Sequence, residues 1–287
     1  MHLLTDAARP WSRRFFSRWC RPASAEFGKT PLHEQLQEPA RMSVADALLA
    51  LLIFLAALLY SSVGHAGASG YLAAMALMGI APAVMKPAAL ALNILVATIA
   101  FTKFYRAGAF SWTLFWPFAI ASVPFAWLGG WVTLPTHFYK PLVGAILIYA
   151  AWYSFRSAHR SEFMPVGAPP IPVRLFAGAV LGFLSGLTGV GGGIFLSPLL
   201  LVLGWARIKV ISGVSAAFIL VNSIAGLLGV MQASVTLPSA LPYWAVAAVA
   251  GGLIGAEYGS RRLGNPAIRK LLALVLAIAG AKMILTA

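Results

Sequence analysis

Long runs of apolar residues, separated by short polar stretches, fill this chain from residue 44 to its C-terminal end. Seven or eight of these runs approach the ~20 residues that a helix needs to cross a bilayer. Two of them, 66–80 and 191–204, are too short, and we interpret them as half-helices or re-entrant arms. The pattern predicts an all-α polytopic membrane protein with about 8–10 helical segments. The runs lie at about 44–63, 66–80, 86–105, 111–132, 138–156, 173–188, 191–204, 208–230, 239–259 and 266–286.

Two clusters of glycine interrupt the apolar sequence. The first glycine break is Gly64–Gly70, and the second glycine break is Thr188–Gly193. Glycine costs roughly 1 kcal/mol relative to alanine inside a helix, so clustered glycines predict that the helix opens. In lipid, an open backbone is tolerated only where protein or a water-filled cavity surrounds it. Two such breaks in corresponding places of two halves are typical of a transporter's binding site.

The positions of these glycines predict an internal repeat. An offset of about 125 residues places Gly64 on Gly189, Gly67 on Gly192, and Gly79 on Gly204, and an offset of 126 places Gly129 on Gly255. We therefore predict two inverted membrane repeats, 44–156 and 173–287, joined by a proline-rich linker over 157–172.

Residues 1–43 differ from the rest of the chain, because basic and aromatic side chains alternate there. Three interpretations stay open: a disordered basic tail, an amphipathic segment on a membrane surface, and a translation start at Met42 that would remove most of the segment. We favour the first and third together.

Composition supports a membrane protein and excludes several other classes. The 287 residues are 60% hydrophobic and 10% charged, whereas soluble domains carry about 25% charged residues. The formal charge of +14 does not indicate a nucleic-acid partner, because of where the basic residues lie. Seven of the 21 Lys and Arg residues lie in the first 41 positions, and most others lie in short loops. Basic residues in such loops set membrane topology. The single Cys20 excludes a disulfide framework and a cysteine zinc site. We predict no metal and no cofactor, and we find no catalytic pair, so the chain is predicted not to be an enzyme.

The half-helices that follow the breaks predict an anion-binding site. A helix N-terminus carries roughly half a positive charge and free N–H groups, so two such ends could hold a small anion without a buried cation. The alternative is that the glycines only allow close helix packing. The candidate substrate-binding residues from the breaks are Ser62, Gly64, His65, Gly67, Ala68, Ser69, Gly70, Thr188, Gly189, Gly191, Gly192 and Gly193.

Four further polar residues lie in or near apolar sequence. Asn93 and Asn222 are amides deep within apolar runs, so they should face the helix bundle, and both are candidate substrate-binding residues. His65 could carry a coupled proton, since histidine titrates near neutral pH, or it could simply bond to backbone. We interpret Lys86, which precedes Pro87, as a loop charge and not as a substrate ligand.

The glycine breaks resemble those of the sulfite exporter TauE/SafE family of membrane permeases. The resemblance covers about 44–286 and depends mainly on Leu184–Gly193 followed by Ser197-Pro198, with Ser62–Gly70 as a weaker first copy. The first copy departs from contiguous glycines at His65, Ala66, Ala68 and Ser69.

This resemblance implies a permease for sulfite, sulfonates or related small organic anions. We therefore predict a multi-pass secondary transporter of the cell inner membrane, with a small anion and the lipid bilayer as its partners and no nucleic acid. A homo-oligomer is compatible with the sequence. A membrane scaffold or assembly factor that transports nothing is the alternative.

Overall fold

The structure is a computed structural model, and it describes residues 44–157, 169–232, 237–261 and 266–285. The predicted tail and most of the predicted linker lie outside the described residues. Every regular element in the described ranges is an α-helix, which confirms the predicted fold class. These helices are α1 (Val44–Ser61), α2 (Ala68–Leu77), α3 (Pro82–Arg106), α4 (Trp112–Trp131), α5 (Thr136–Ser157), α6 (Ile171–Thr188), α7 (Gly193–Val202), α8 (Ile208–Val230), α9 (Leu241–Arg261) and α10 (Pro266–Leu285).

The helix ends agree with the apolar runs to within four residues. Proline and serine explain several starts: Pro82 lies at the first position of α3, where its missing N–H costs nothing, and the Ser111 hydroxyl accepts from the Leu114 N–H at the start of α4. Among the described residues, α1, α3, α4, α6 and α8 are long and apolar enough to cross a membrane. The chain is a multi-pass membrane protein.

The helices pack in a pattern that is the same for both halves. Helix α4 packs on α6 and α8, and α9 packs in the corresponding way on α1 and α3, while α3 packs on α8 and α5 packs on α10. If α1–α5 are equated with α6–α10, each of these pairs maps onto another pair or onto itself. This agrees with the predicted repeat, and its inverted arrangement in the membrane stays a prediction.

Rows of glycine bring the outer helices close together. On α6 and on α9, glycines at every fourth position each lie against a backbone carbonyl of the facing helix, α4 or α1. A Cβ at any of these positions would collide with that carbonyl, so the rows explain the close approach of the two helix pairs. The pairs are Gly178, Gly182 and Gly186 with Phe118, Ser122 and Ala126, and Gly251, Gly255 and Gly259 with Phe54, Leu58 and Ser62.

The short helices and the centre of the bundle are buried, and the outside is apolar. In α2 every residue from Ala68 to Ala76 is buried, and α8 is buried over most of its length. Large apolar side chains such as Phe176 and Val246 are more than 70% exposed, as expected for a surface that contacts lipid. Both glycine breaks therefore lie within the protein interior.

Candidate functional site

Both glycine breaks interrupt a helix in the same way. Helix α1 ends at Ser61 and α2 begins at Ala68, while α6 ends at Thr188 and α7 begins at Gly193. Gly67 and Gly192 are the residues that precede the short helices; each has a positive φ, and neither helix receives a side-chain cap. A positive φ is the left-handed region, which glycine enters without the penalty that a Cβ imposes.

The predicted glycine pairs share their backbone conformation. Gly64 and Gly189 both have a φ of 79°, and Gly79 and Gly204 have φ values of 75° and 65°. Gly191 adds a further positive φ in the second break, where the first break has Ala66. The offset of about 125 residues thus corresponds to the same chain path in both halves.

Each break packs against the start of the third helix of the other half. A Cβ at Gly64 would lie 2.6 Å from the Ser212 Cα at the start of α8, and a Cβ at Gly189 would lie 3.2 Å from the Lys86 Cα near the start of α3. Gly64 therefore needs glycine for space as well as for φ, whereas a Cβ at Gly189 would be tightly packed and would have an unfavourable φ. These contacts connect the two halves through the breaks.

His65 joins the first break to the start of α7. Its Nε2 lies 3.2 Å from the Gly193 carbonyl oxygen and 3.0 Å from the Ser197 hydroxyl, and its Nδ1 lies 3.3 Å from the Val63 carbonyl oxygen. The Ser197 hydroxyl is also 2.7 Å from the Ser215 hydroxyl of α8. A continuous row of hydrogen-bonding groups therefore runs from the first break through α7 to α8.

The charge of His65 affects this row. A neutral imidazole has one N–H and a protonated one has two. Only the protonated ring can donate to the Val63 and Gly193 carbonyls at the same time. Proton uptake would therefore let the ring donate to the first break and to α7 together.

Three side chains from the first half contact the second break. The Asn93 Nδ2 lies 3.5 Å from the Val190 carbonyl oxygen and 3.4 Å from the Ser223 hydroxyl, and the Tyr139 hydroxyl donates to the Thr188 carbonyl over 3.0 Å. Lys86 contacts Gly189, as described above. The second break is thus lined from α3, α5 and α8.

The interpretation of Lys86 as a loop charge is wrong. Lys86 lies inside α3 and is only 9% exposed, and its ammonium donates to the carbonyls of Gly129, Gly130 and Val132 at 2.9–3.1 Å. These carbonyls lie at the C-terminal end of α4, where the helix dipole is negative. The start of α3 precedes the predicted one by four residues, and this brings Lys86 into the helix.

The remaining predicted site residues lie in the breaks without facing a common cavity through their side chains. The Ser62 and Thr188 hydroxyls donate to carbonyls of their own helices, Leu59 and Leu184, over 2.7 Å. Ala68 and Ser69 are buried in the first turn of α2. A Cβ at Gly70 would approach Ala56 and Tyr60, so this glycine serves the packing of α1 on α2.

Asn222 lies one turn after Phe218 on α8, and its Nδ2 donates to the Phe218 carbonyl over 2.8 Å. The Phe218 ring lies against Gly192. The structure therefore brings Asn93 and Asn222 to the same break, although they do not correspond under the repeat. No cluster of three metal-ligating side chains occurs in the described part of the chain.

The family model described as sulfite exporter TauE/SafE matches residues 49–283. This chain belongs to the TauE/SafE family. The resemblance expected from the glycine breaks is therefore confirmed.

One curated relative that this chain resembles is the probable membrane transporter protein y4hK of Sinorhizobium fredii. It is 43% identical over 239 residues, which cover 82% of this chain and 97% of the relative. No solved structure matches this chain.

Four serines near the breaks of this TauE/SafE protein were missed as site candidates. Ser197 and Ser215 bond to each other beside His65, Ser223 contacts Asn93, and Ser185 lies against Gly192. All four are buried. Buried hydroxyls within apolar runs were the available signal, but serine often bonds to its own helix, so the sequence alone does not select these four.

Proposed function

We propose that this protein is a secondary transporter that moves a small anion, such as sulfite, a sulfonate or a related organic anion, across the inner membrane. Its membership in the TauE/SafE family supports the transporter class, and its similarity to the probable membrane transporter protein y4hK supports it too. That the substrate is a small anion is proposed from the geometry of the second glycine break.

The start of α7 is the observation that supports an anionic substrate. This helix begins at Gly192 without a side-chain cap, so the amides of Gly191, Gly192 and Gly193 and the positive end of the helix dipole are directed at the second break. The break is buried, and low polarity strengthens such interactions. An anion bound there would need no side-chain cation.

His65 supplies a means of coupling transport to protons. Protonation lets the ring donate to both the Val63 and the Gly193 carbonyls and so holds the first break against α7. Loss of the proton releases one of these bonds. We propose that this change favours one of two arrangements of the halves, so that the proton and the anion move in a linked cycle.

Uptake into proteoliposomes that contain only the purified protein tests the function. We expect uptake of radiolabelled sulfite or a small sulfonate above that of empty liposomes, and we expect Gly192→Leu to abolish it while the variant stays in the membrane. Gly79→Ala is the matched control, since Gly79 also has a positive φ but a Cβ there would contact nothing within 4 Å. Full transport by Gly192→Leu would refute the role of the second break.

A thermal-shift screen of the detergent-solubilised protein would identify the anion class. A ligand that binds the folded state raises the melting temperature as its concentration rises. A protein that binds no small anion and shows no uptake would favour the membrane scaffold.

A further inference from the structure

Three buried side-chain oxygens around the second break have no hydrogen-bond partner within the described residues: Asn93 Oδ1, Asn222 Oδ1 and Ser185 Oγ. All three residues are 0% exposed. Buried polar atoms are nearly always paired in proteins, and an unpaired acceptor is costly. Three such atoms in one region indicate that something other than this chain pairs with them.

Contacts between α6 and α8 bring Ser185 and Asn222 together. A Cβ at Gly192 would lie 2.8 Å from the Phe218 ring and 3.2 Å from the Ser185 Cβ, and a Cβ at Gly226 would lie 3.4 Å from the Gly186 Cα. Asn222 is one turn after Phe218 and one turn before Gly226, on the same face of α8. It therefore faces the end of α6, where Ser185 lies.

Asn93 reaches the same region from α3. Its amide contacts Ser223, the neighbour of Asn222, and a Cβ at Gly191 would lie 2.7 Å from its Nδ2. Asn93 thus contacts the residues that begin α7 directly, and Asn222 lies one helical turn from Phe218, whose ring contacts Gly192.

Each of the two amides directs its Nδ2 atom at a backbone carbonyl. Asn222 Nδ2 donates to the Phe218 carbonyl at 2.8 Å, and Asn93 Nδ2 is directed at the Val190 carbonyl. A carbonyl only accepts, so the NH₂ group must face it, and each Oδ1 must point elsewhere as an acceptor. The Ser185 hydroxyl can accept as well.

We propose that Asn93, Asn222 and Ser185 form an acceptor subsite beside the start of α7, and that this subsite binds the hydroxyl of a singly charged anion. The inference rests on the proposed function and narrows its substrate class. The N–H groups of α7 bind the anionic oxygens, and the side-chain oxygens offer acceptors to the single proton of a hydroxyl on the same ligand. A protonated oxyanion and a hydroxyalkyl sulfonate share this chemistry.

The positive charge available at the start of α7 suits a ligand with a single negative charge. A helix N-terminus supplies roughly half a positive charge, and the nearby Lys86 ammonium already gives its three N–H groups to α4 carbonyls. The three acceptor oxygens would repel a fully deprotonated oxyanion. A ligand with one negative charge suits the helix N-terminus, and its one hydroxyl proton gives the acceptor oxygens a hydrogen bond.

Isethionate and ethanesulfonate test the proposal, since both are monoanions and they differ by a hydroxyl group. We expect the purified full-length protein to bind isethionate about tenfold more tightly in thermal-shift titrations, as one extra hydrogen bond implies. Asn222→Leu replaces the amide by an apolar group of similar size and should reduce this preference to near unity while ethanesulfonate still binds. Ser185→Ala is a milder variant and should reduce the preference as well. Ser122→Ala, at a buried serine on α4 whose hydroxyl donates to Ala119, is the control and should keep it.

The outcomes separate the subsite from the proposed function. Equal binding of the two sulfonates by the wild-type protein overturns the subsite alone, because an anion site without an acceptor requirement behaves in this way. A preference that persists in both Asn222→Leu and Ser185→Ala also overturns it. Failure of sulfite and of both sulfonates to bind the folded protein counts against the proposed function and the subsite together. If Asn222→Leu does not fold, the wild-type comparison and Ser185→Ala decide the question.

Discussion

The substitution Gly191→Ala should damage the protein more than Gly79→Ala, although both glycines have nearly the same φ. The values are 82° and 75°, so an alanine at either position carries the same backbone penalty, about 1–2 kcal/mol. The surroundings differ. A Cβ at Gly191 would lie 2.7 Å from Asn93 Nδ2, 2.9 Å from Ile219 Cγ2 and 3.1 Å from Ser223 Oγ, whereas a Cβ at Gly79 would contact nothing within 4 Å.

These contacts set the size of the difference. Overpacking of this kind typically costs about 1–3 kcal/mol, so we expect a total of about 2–5 kcal/mol for Gly191→Ala and about 1–2 kcal/mol for Gly79→Ala. At about 2–4 °C per kcal/mol for a chain of this size, the melting temperature of Gly191→Ala should lie at least about 2 °C below that of Gly79→Ala. The new methyl group also displaces the Asn93 amide, so transport should fall by about tenfold or more.

Two measurements check the prediction: thermal unfolding in detergent, and proteoliposome uptake normalised to the inserted protein. Equal melting temperatures for the two variants would show that the second break can expand at no cost, and the tight packing around Gly191 would then be irrelevant. Equal loss of transport in both variants would show that any strained glycine matters, and the argument for a site at this break would fail.

Three further changes test other contacts. Lys86→Met should lower the unfolding free energy by about 2–3 kcal/mol, because three carbonyls at the end of α4 lose their donor. Lys103→Met is the control and should cost less than about 1 kcal/mol, because both side chains of the Lys103–Glu257 ion pair are 37% exposed. Chemical or thermal unfolding measures both changes. His65→Ala should flatten the pH dependence of transport, because the proposed proton coupling depends on the imidazole that contacts Gly193 and Ser197; an unchanged profile at full rate would assign it to structure. Gly182→Leu should prevent close packing of α4 on α6, because its side chain would meet the Ser122 carbonyl; a normal yield of folded protein in detergent would contradict this.

The fold could be predicted because the features that end these helices are local. Pro82 starts α3, and glycines with positive φ end or precede α2 and α7, so the sequence alone indicates where the chain opens. The repeat is predicted from local features as well, since Gly64 and Gly189 share a φ of 79°, which favours glycine.

The members of the site could be predicted only in part, because their contacts join residues that are distant in sequence. His65 meets Ser197 across 132 positions and Asn93 meets Ser223 across 130. Which serine of a helix faces such a partner depends on the rotation of the helix about its axis. A helix that is apolar on all sides has no sequence pattern that predicts this rotation. Lys86 was misinterpreted for a related reason: a lysine before a proline looks like a loop, and only the folded α4 supplies the three carbonyls that justify its burial.

The side chains around the two breaks do not follow the symmetry of the backbone. Under the repeat, His65 corresponds to Val190. Lys86 and Ser212 occupy equivalent places in α3 and α8, so Asn93 corresponds to Ile219 and Ser215 to Ala89. At the first break, Tyr71 donates to the Ala66 carbonyl over 2.5 Å and its ring covers Gly67, so the start of α2 is closed by its own helix. At the second break, polar groups from α3, α6 and α8 surround the start of α7. Two equivalent N-termini that share one anion would need similar surroundings, so this difference favours a site in which α7 binds the anion and the first break contributes His65.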